Sequence, residues 1–377
     1  MQTGLDEIRK TARDDSRAVR RRFLILGIVL AALFFIFICS RTTDIGFVSP
    51  AQAMSNLFTA LRLQIAKWTN GSLYLNRREV IAGQDYYLET LGRFESAVLV
   101  VALGASLSIG GAVFQCAFRN PIATPSILGT SSGMKIVNLI LVLQFSSTAA
   151  TMTMYRAVYG YIGALIILGL LMLGSKLMSK QRSSRADLLL LGTLGTRILT
   201  QIVNYVQNYV LSDDDYLVLQ EMNLYGSGTG TTDGMAVTLL VIVAALIPLF
   251  LTRTSLNTLC FDDEDARCLG IRTAALRGVA VVCSVLLSVS TLVYAGDVGM
   301  LAMLIPLICR YVYGSDTRRL LLACGMSGAL LMLICRMILS LFAFNYYLSY
   351  ISIGTIVELI ATPLMIFVIF KNRRGWE

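Results

Sequence analysis

Residues 104–133 read GASLSIGGAVFQCAFRNPIATPSILGTSSG. The stretch starts inside one apolar run, breaks at Asn120-Pro121 and Thr124-Pro125, and enters a second apolar run. A residue that precedes proline is pushed out of helical geometry, so the two dipeptides punctuate the chain between two spans. The small residues ahead of the break let transmembrane helices approach closely.

Outward from this stretch the chain keeps the same character. Of its 377 residues 56% are hydrophobic and 15% charged, and the mean hydropathy is +0.69. A soluble protein of this size carries roughly a quarter charged residues. Low charge and long apolar runs place the chain among polytopic membrane proteins. A span needs about 20 mostly apolar residues. By that ruler the expected fold is all-α, with about ten transmembrane helices at 22–42, 92–116, 126–145, 156–178, 187–210, 235–252, 276–295, 298–313, 320–343 and 352–370. The first run follows a charged segment and is long enough to span, which reads as a retained anchor and not a cleaved signal peptide.

The Lys/Arg placement sets the orientation. Arg9, Lys10, Arg13, Arg17, Arg20, Arg21 and Arg22 crowd the start, and Lys176, Lys180, Arg182 and Arg185 follow a later span. Arg253, Arg267, Arg272 and Arg277, then Arg318 and Arg319, then Lys371, Arg373 and Arg374 complete the set. With ten spans, all fall on the cytoplasmic side. The expected organisation is a basic segment at 1–21, a transmembrane domain at 22–370 with a cytoplasmic loop at 253–275, and a tail at 371–377. Loop 211–234 lies outside and is acidic. Loop 43–91 is also expected outside, although it holds Arg62, Lys67, Arg77 and Arg78. Its amphipathic stretch Ala53–Ile65 reads as an interfacial helix, with docking of an external partner as the other reading. The net charge of +9 is the ordinary basic flanking of spans, so no nucleic-acid partner is expected.

None of the eight cysteines forms a C-x-x-C pair, which argues against disulfides and a zinc site. The chain has no histidine, so it lacks the commonest metal ligand and general base. Iron crossing such a protein would cross already wrapped in a chelator.

Two sets of polar residues lie inside spans. Arg197, Gln201, Asn204 and Asn208 share one helical face. Polar groups facing lipid are costly, so the stripe reads as lining a wet pathway, or else as interhelical hydrogen bonding. Arg336 and Glu358, each a similar distance from the loop near 344–351, are expected to form an ion pair. Attraction of an anionic substrate is the other reading for Arg336.

Residues 104–133 also resemble a motif of the permease family of ABC importers for iron-siderophores, haem and vitamin B12. Gly104, Gly111 (or Gly110), Gln115, Asn120, Pro121, Ala123, Pro125, Leu128, Gly129 and Gly133 match it. A second likeness is LNTLCFDDEDARCLGI at 256–271, where Asp263, Glu264, Ala266, Arg267, Leu269 and Gly270 fit a short coupling helix. A third is AGDVGMLAMLIPLICRYVYGSDTRR at 295–319, matched by Ala295, Gly296, Gly299, Pro306, Arg310, Gly314, Asp316 and Arg318. There Leu307 and Thr317 replace two usual histidines, and Met300 a phenylalanine. Gly354 and Pro363 keep the closing pattern. Where the family often has R-L-P-R, residues 93–96 are RFES, so only Arg93 remains for docking a binding protein: docking is weaker, or a partner permease supplies the charges, or Arg62, Lys67, Arg77 and Arg78 substitute.

The resemblance implies a permease subunit in a bacterial plasma membrane, both termini cytoplasmic, importing an iron chelate such as a siderophore, or else haem or cobalamin. The coupling residues would dock on the ATPase. Gln115 and Asn120 would join the α-helical pathway stripe, which matches the family's path-lining fifth helix. The implied partners are a second permease, two cytoplasmic ATPases and an extracellular binding protein. Eroded docking motifs favour a heterodimer. No G-x-x-x-x-G-K-[ST] loop occurs, so the chain is expected to be no enzyme and to hold no cofactor, with ATP and Mg on the partner. The rival readings are a secondary transporter, a membrane enzyme and a non-transporting scaffold.

Overall fold

The computed structural model describes residues 2–40, 49–68, 77–149, 153–178, 185–225, 234–260, 272–342 and 351–372. Its helices are α1 (Gln2–Cys39), α2 (Pro50–Trp68), α3 (Arg77–Phe118), α4 (Thr130–Ala149), α5 (Thr153–Met178), α6 (Arg185–Tyr209) and α7 (Asp213–Tyr225). They continue with α8 (Met235–Leu251), the single turn α9 (Arg253–Leu256), α10 (Thr273–Ala295), α11 (Gly299–Tyr313), α12 (Thr317–Phe342) and α13 (Ile353–Asn372). Short 3₁₀ turns occupy Pro125–Leu128 and Asn257–Cys260.

Each of the ten expected spans falls on one of these helices. Among the described residues five are long and apolar enough to cross a bilayer unaided: Arg17–Cys39, Thr90–Phe118, Tyr155–Leu177, Thr273–Ala295 and Thr317–Ser340. Met235–Leu251 and Arg253–Leu259 together make a sixth, bent by 69°. The bend follows Pro248, whose carbonyl accepts both the amide and the hydroxyl of Thr252. Gly299–Tyr313 and Ile353–Val368 are shorter apolar helices. In α6 the polar stripe lowers the hydropathy of an otherwise Leu- and Ile-rich helix.

Two helices sit in the long connections. α2 covers the amphipathic Ala53–Ile65 stretch, and α7 covers much of 211–234. The α3 helix starts at Arg77, well before the expected entry at residue 92. Its 42 residues extend about 63 Å at 1.5 Å per residue, roughly twice the hydrocarbon thickness of a bilayer. The 77–91 part of loop 43–91 thus belongs to α3.

The α3 and α10 helices form the centre. In each, 78% of the apolar window is buried, against 11% in the rim helix α1. α3 lies against α12, α10 and α11. Small residues set these approaches: a Cβ on Gly104 would overlap the Gly328 carbonyl, and one on Gly111 would overlap that of Ala302. Van der Waals packing of this kind replaces the hydrophobic drive that lipid does not supply. α1 leans on the bundle where Phe37 packs with Ala97 and Leu333.

Candidate functional site

The stripe on α6 is presented outward. Arg197, Gln201, Asn204 and Asn208 are all exposed, while Val203 on the same helix is 1% exposed and packs against the α4 and α7 residues of a second apolar cluster. These polar side chains turn away from the helix's own bundle, on a side where Leu190 and Leu194 are also exposed. The Tyr205 and Tyr209 rings, 4.9 Å apart, flank the same surface. A polar face of this kind is stable against water or a polar partner and costly against lipid.

The three stretches that carry the family likeness converge at the other end of α3. Past Phe118 the chain turns sharply, with Arg119 in the left-handed region at φ 50. Asn120 shapes the turn: its Oδ1 accepts the Ile122 amide at 3.1 Å and its carbonyl accepts that of Ala123. Pro125–Leu128 then packs beneath α6, where the Ile127 carbonyl accepts the Thr196 hydroxyl at 3.3 Å. The Arg119 Nε donates to the Leu259 carbonyl at 2.9 Å. The Asn257 amide donates to Asp316 Oδ1 at 3.0 Å, and Asn257 Oδ1 accepts the Thr317 amide at 2.8 Å. The Asn257 bond is the main cause that holds the Asp316 carboxyl below its ordinary range, aided by the Arg318 amide and the Arg318 and Arg319 charges.

Beside the Pro125–Leu128 turn the α10–α11 break carries Asp297. Gly296 sits at φ 70, against the Leu224 carbonyl of α7. Asp297 Oδ1 accepts the Gly299 amide at 3.1 Å and Oδ2 accepts the Ser131 hydroxyl at 2.8 Å. The same break lines a small pocket with Thr124, Ser126, Ser288 and Thr291. Close by, Arg156 is 1% exposed. Its Nε donates to Asn138 Oδ1 at 3.0 Å, another nitrogen donates to the Met222 carbonyl, and Asn138 donates to Asn223 at 2.8 Å. This network fastens α7 to α4 and α5. Sequence reading missed Arg156, Asn138, Asp297 and Asn257. Asp297 and Asn257 lie inside the quoted stretches, and Arg156 is the first residue of an expected span.

Other sequence expectations need correction. Gln115 is 2% exposed, clasping α11 through the Ala302 and Met303 carbonyls, so it lines no open path here. Asn120 acts on its own turn. Arg93 is 6% exposed and lies over the Phe37 ring at 5.3 Å, because it shares the inward face of α3 with Ala97 and Val100; it offers no docking charge at the surface. Arg336 donates to Ser96 at 3.3 Å on α3, while Glu358 is exposed on α13, so the expected Arg336–Glu358 pair is not the arrangement found. Arg77 and Arg78 open α3, and their side chains lie outside the described residues, as do Asp263, Glu264, Ala266, Arg267, Leu269 and Gly270. Among the described residues no group of three or more His, Cys, Asp or Glu side chains could hold a metal ion.

Comparison with known proteins places this geometry. A "Probable iron chelatin transport system permease protein" of Helicobacter pylori is 25% identical over 323 residues, covering 84% of this chain and 94% of its own. The "Hemin transport system permease protein HmuU" of Yersinia pestis is 27% identical, covering 74% and 82%. The "Vitamin B12 import system permease protein BtuC" of Photorhabdus laumondii is 29% identical, covering 74% and 81%. A solved structure of a "metal-chelate type ABC transporter" in an "inward-facing conformation" shares the fold, with a TM-score of 0.71, 19% identity, and coverage of 94% of this chain and 99% of that one. The model of the FecCD transport family matches residues 65–371, and the chain belongs to that family.

Proposed function

We propose that this chain is the membrane-spanning permease subunit of an ATP-driven importer that carries an iron chelate, such as a siderophore, across a bacterial plasma membrane. The observation that carries the reading is the outward polar face of α6, with Arg197, Gln201, Asn204 and Asn208 all exposed. Such a face needs a wet cavity, and a second permease subunit placed against α6 would enclose one. ATP hydrolysis belongs to two partner subunits that meet the chain near 261–271, and an external binding protein delivers the substrate. Nucleotide drives transport by favouring one of two states of the bundle, since it can shift an equilibrium only by its differential affinity. The departure of residues 93–96 from the family pattern supports pairing with a second, different permease.

Haem and cobalamin form the second reading, supported by relatives named for hemin and vitamin B12. Iron as a chelate agrees with a chain that contains no histidine. The decisive test is ATP hydrolysis by the reconstituted complex with its binding protein loaded in turn with ferric siderophore, haem or cobalamin. Stimulation by ferric siderophore alone is expected. Stimulation by haem or cobalamin instead overturns the substrate, and the absence of any ATPase partner overturns the reading as a whole.

A further inference from the structure

Asn257 occupies a junction that an ordinary surface asparagine does not. It lies just ahead of residues 261–271, in the 3₁₀ turn Asn257–Cys260. Its two neighbours in the apolar seat, Leu256 and Leu259, are each 1% exposed. The Arg119 bond to the Leu259 carbonyl holds the turn from the side of α3.

From that seat the Asn257 side chain reaches a different helix. The first amides of a helix have no partner inside it and need outside acceptors. In α12 the Thr317 amide is satisfied by Asn257 Oδ1 at 2.8 Å. Asp316 takes the amide of Arg318 on its carboxylate at 3.2 Å and those of Arg319 and Leu320 on its carbonyl, and its Oδ1 in turn accepts the Asn257 amide at 3.0 Å. One side chain from the 253–260 segment thus completes the cap of α12 with both its donor and its acceptor. The same α12 carries Gly328, the residue that seats α3. A displacement of the 257–260 turn must either carry the first turn of α12 with it or leave Thr317 uncapped.

Resting on the reading as an ATP-driven permease, we propose that Asn257 is the positioning residue through which a nucleotide-driven displacement of the 257–260 turn reaches α12. It touches neither substrate nor nucleotide. A passive cap would hold α12 equally well whatever the 261–271 segment does, and this difference is measurable.

The test uses the full-length permease purified with its ATPase subunits, with amide hydrogen exchange followed with and without magnesium and AMP-PNP. In the unaltered complex, nucleotide is expected to change exchange both in 261–271 and in the first turn of α12. Asn257→Ala is expected to keep the first change and lose the second. Asn257→Asp faces the Asp316 carboxylate and is expected to lose it too, while Asn257→Asp combined with Asp316→Asn restores an amide–carboxylate pair and with it the α12 response. That pair of variants decides the matter if Asn257→Ala fails to assemble. An α12 response that survives in Asn257→Ala, or stays lost in the double variant, overturns the proposal alone. An unaltered complex whose 261–271 segment ignores nucleotide overturns the permease reading and the proposal together.

Discussion

Gln115 on α3 donates its side-chain amide to the carbonyl of Ala302 on α11, at 3.4 Å. That oxygen is the one that residue 306 would bond in an unbroken helix, and residue 306 is proline, which has no N–H. The glutamine of one stretch therefore satisfies the carbonyl orphaned by the proline of another, 187 residues away in sequence. Replacing Gln115 by leucine is expected to destabilise the bundle by about 1–3 kcal/mol, the usual cost of leaving a buried acceptor unpaired. Thermal unfolding in detergent measures it. A Gln115→Leu protein that melts with the parent would show that water or a neighbour takes over.

Arg156 is expected to be among the least replaceable side chains outside the glycine seams. Its bonds to Asn138 and to the Met222 carbonyl hold α5, α4 and α7 together. Hydrogen bonds to a charged group contribute about 1.5–3 kcal/mol each, so Arg156→Met should cost about 3 kcal/mol or more and free α7 for proteolysis. Arg156→Lys should rescue little, because a point charge does not reproduce the guanidinium fork. Limited proteolysis followed at residues 210–234 reports the result.

The glycines divide into two groups with opposite expected outcomes. Gly104→Ala puts a methyl group into the Gly328 carbonyl and should cost about 1–3 kcal/mol through separation of α3 from α12. A Cβ on Gly278 or Gly169 meets nothing within 4 Å, and both lie within helices. Alanine there should be neutral or stabilise by about 0.5–1 kcal/mol. Melting temperatures of the three variants, ranked, check the assignment.

Asp316 gives a pH dependence of known sign. Its carboxyl is held below the ordinary value of about 3.9, first by the Asn257 amide. A depressed folded-state value means that the stabilisation is fully present above the unfolded value and disappears as pH falls through the folded one. The parent should therefore exceed Asp316→Asn in stability by a constant margin between about pH 5 and 8, and the margin should close below about pH 4. A gap that opened in acid would contradict the assignment.

On α6, Arg197→Ala and Gln201→Ala should lower uptake by the reconstituted importer without loss of folded protein, since both side chains are exposed. Uptake of labelled substrate, set beside the ATPase rate, checks this. Unchanged uptake would favour a permease-like chain that does not itself conduct.

The sequence made the depth of each element readable and left its rotation open. Runs of about 20 apolar residues located the helices because bilayer thickness fixes that length. Depth alone also paired Arg336 with Glu358, yet the azimuth of Arg336 is set by Ser96, 240 residues away, which offers a hydroxyl on the facing helix. The resemblance of residues 93–96 to the family's R-L-P-R pattern makes Arg93 an expected outer docking charge. Its burial depends on Phe37 of α1 folding over it, a tertiary event that no local pattern announces. The α6 stripe was legible because its own spacing defines a face, and that face needs no distant partner to be recognised.

The seating of α3 also governs how the protein is made. α3 ends at Phe118, and three of the helices that pack on it, α10, α11 and α12, begin only at Thr273 or later. During synthesis, Gly104, Gly111 and Gln115 must therefore wait in the bilayer, or beside the insertion machinery, until the later half of the chain arrives. A nascent chain cut short before Thr273 is thus inserted and yet unassembled, its middle helix lacking a seat and its glutamine lacking an acceptor, which is the kind of product that membrane quality control removes.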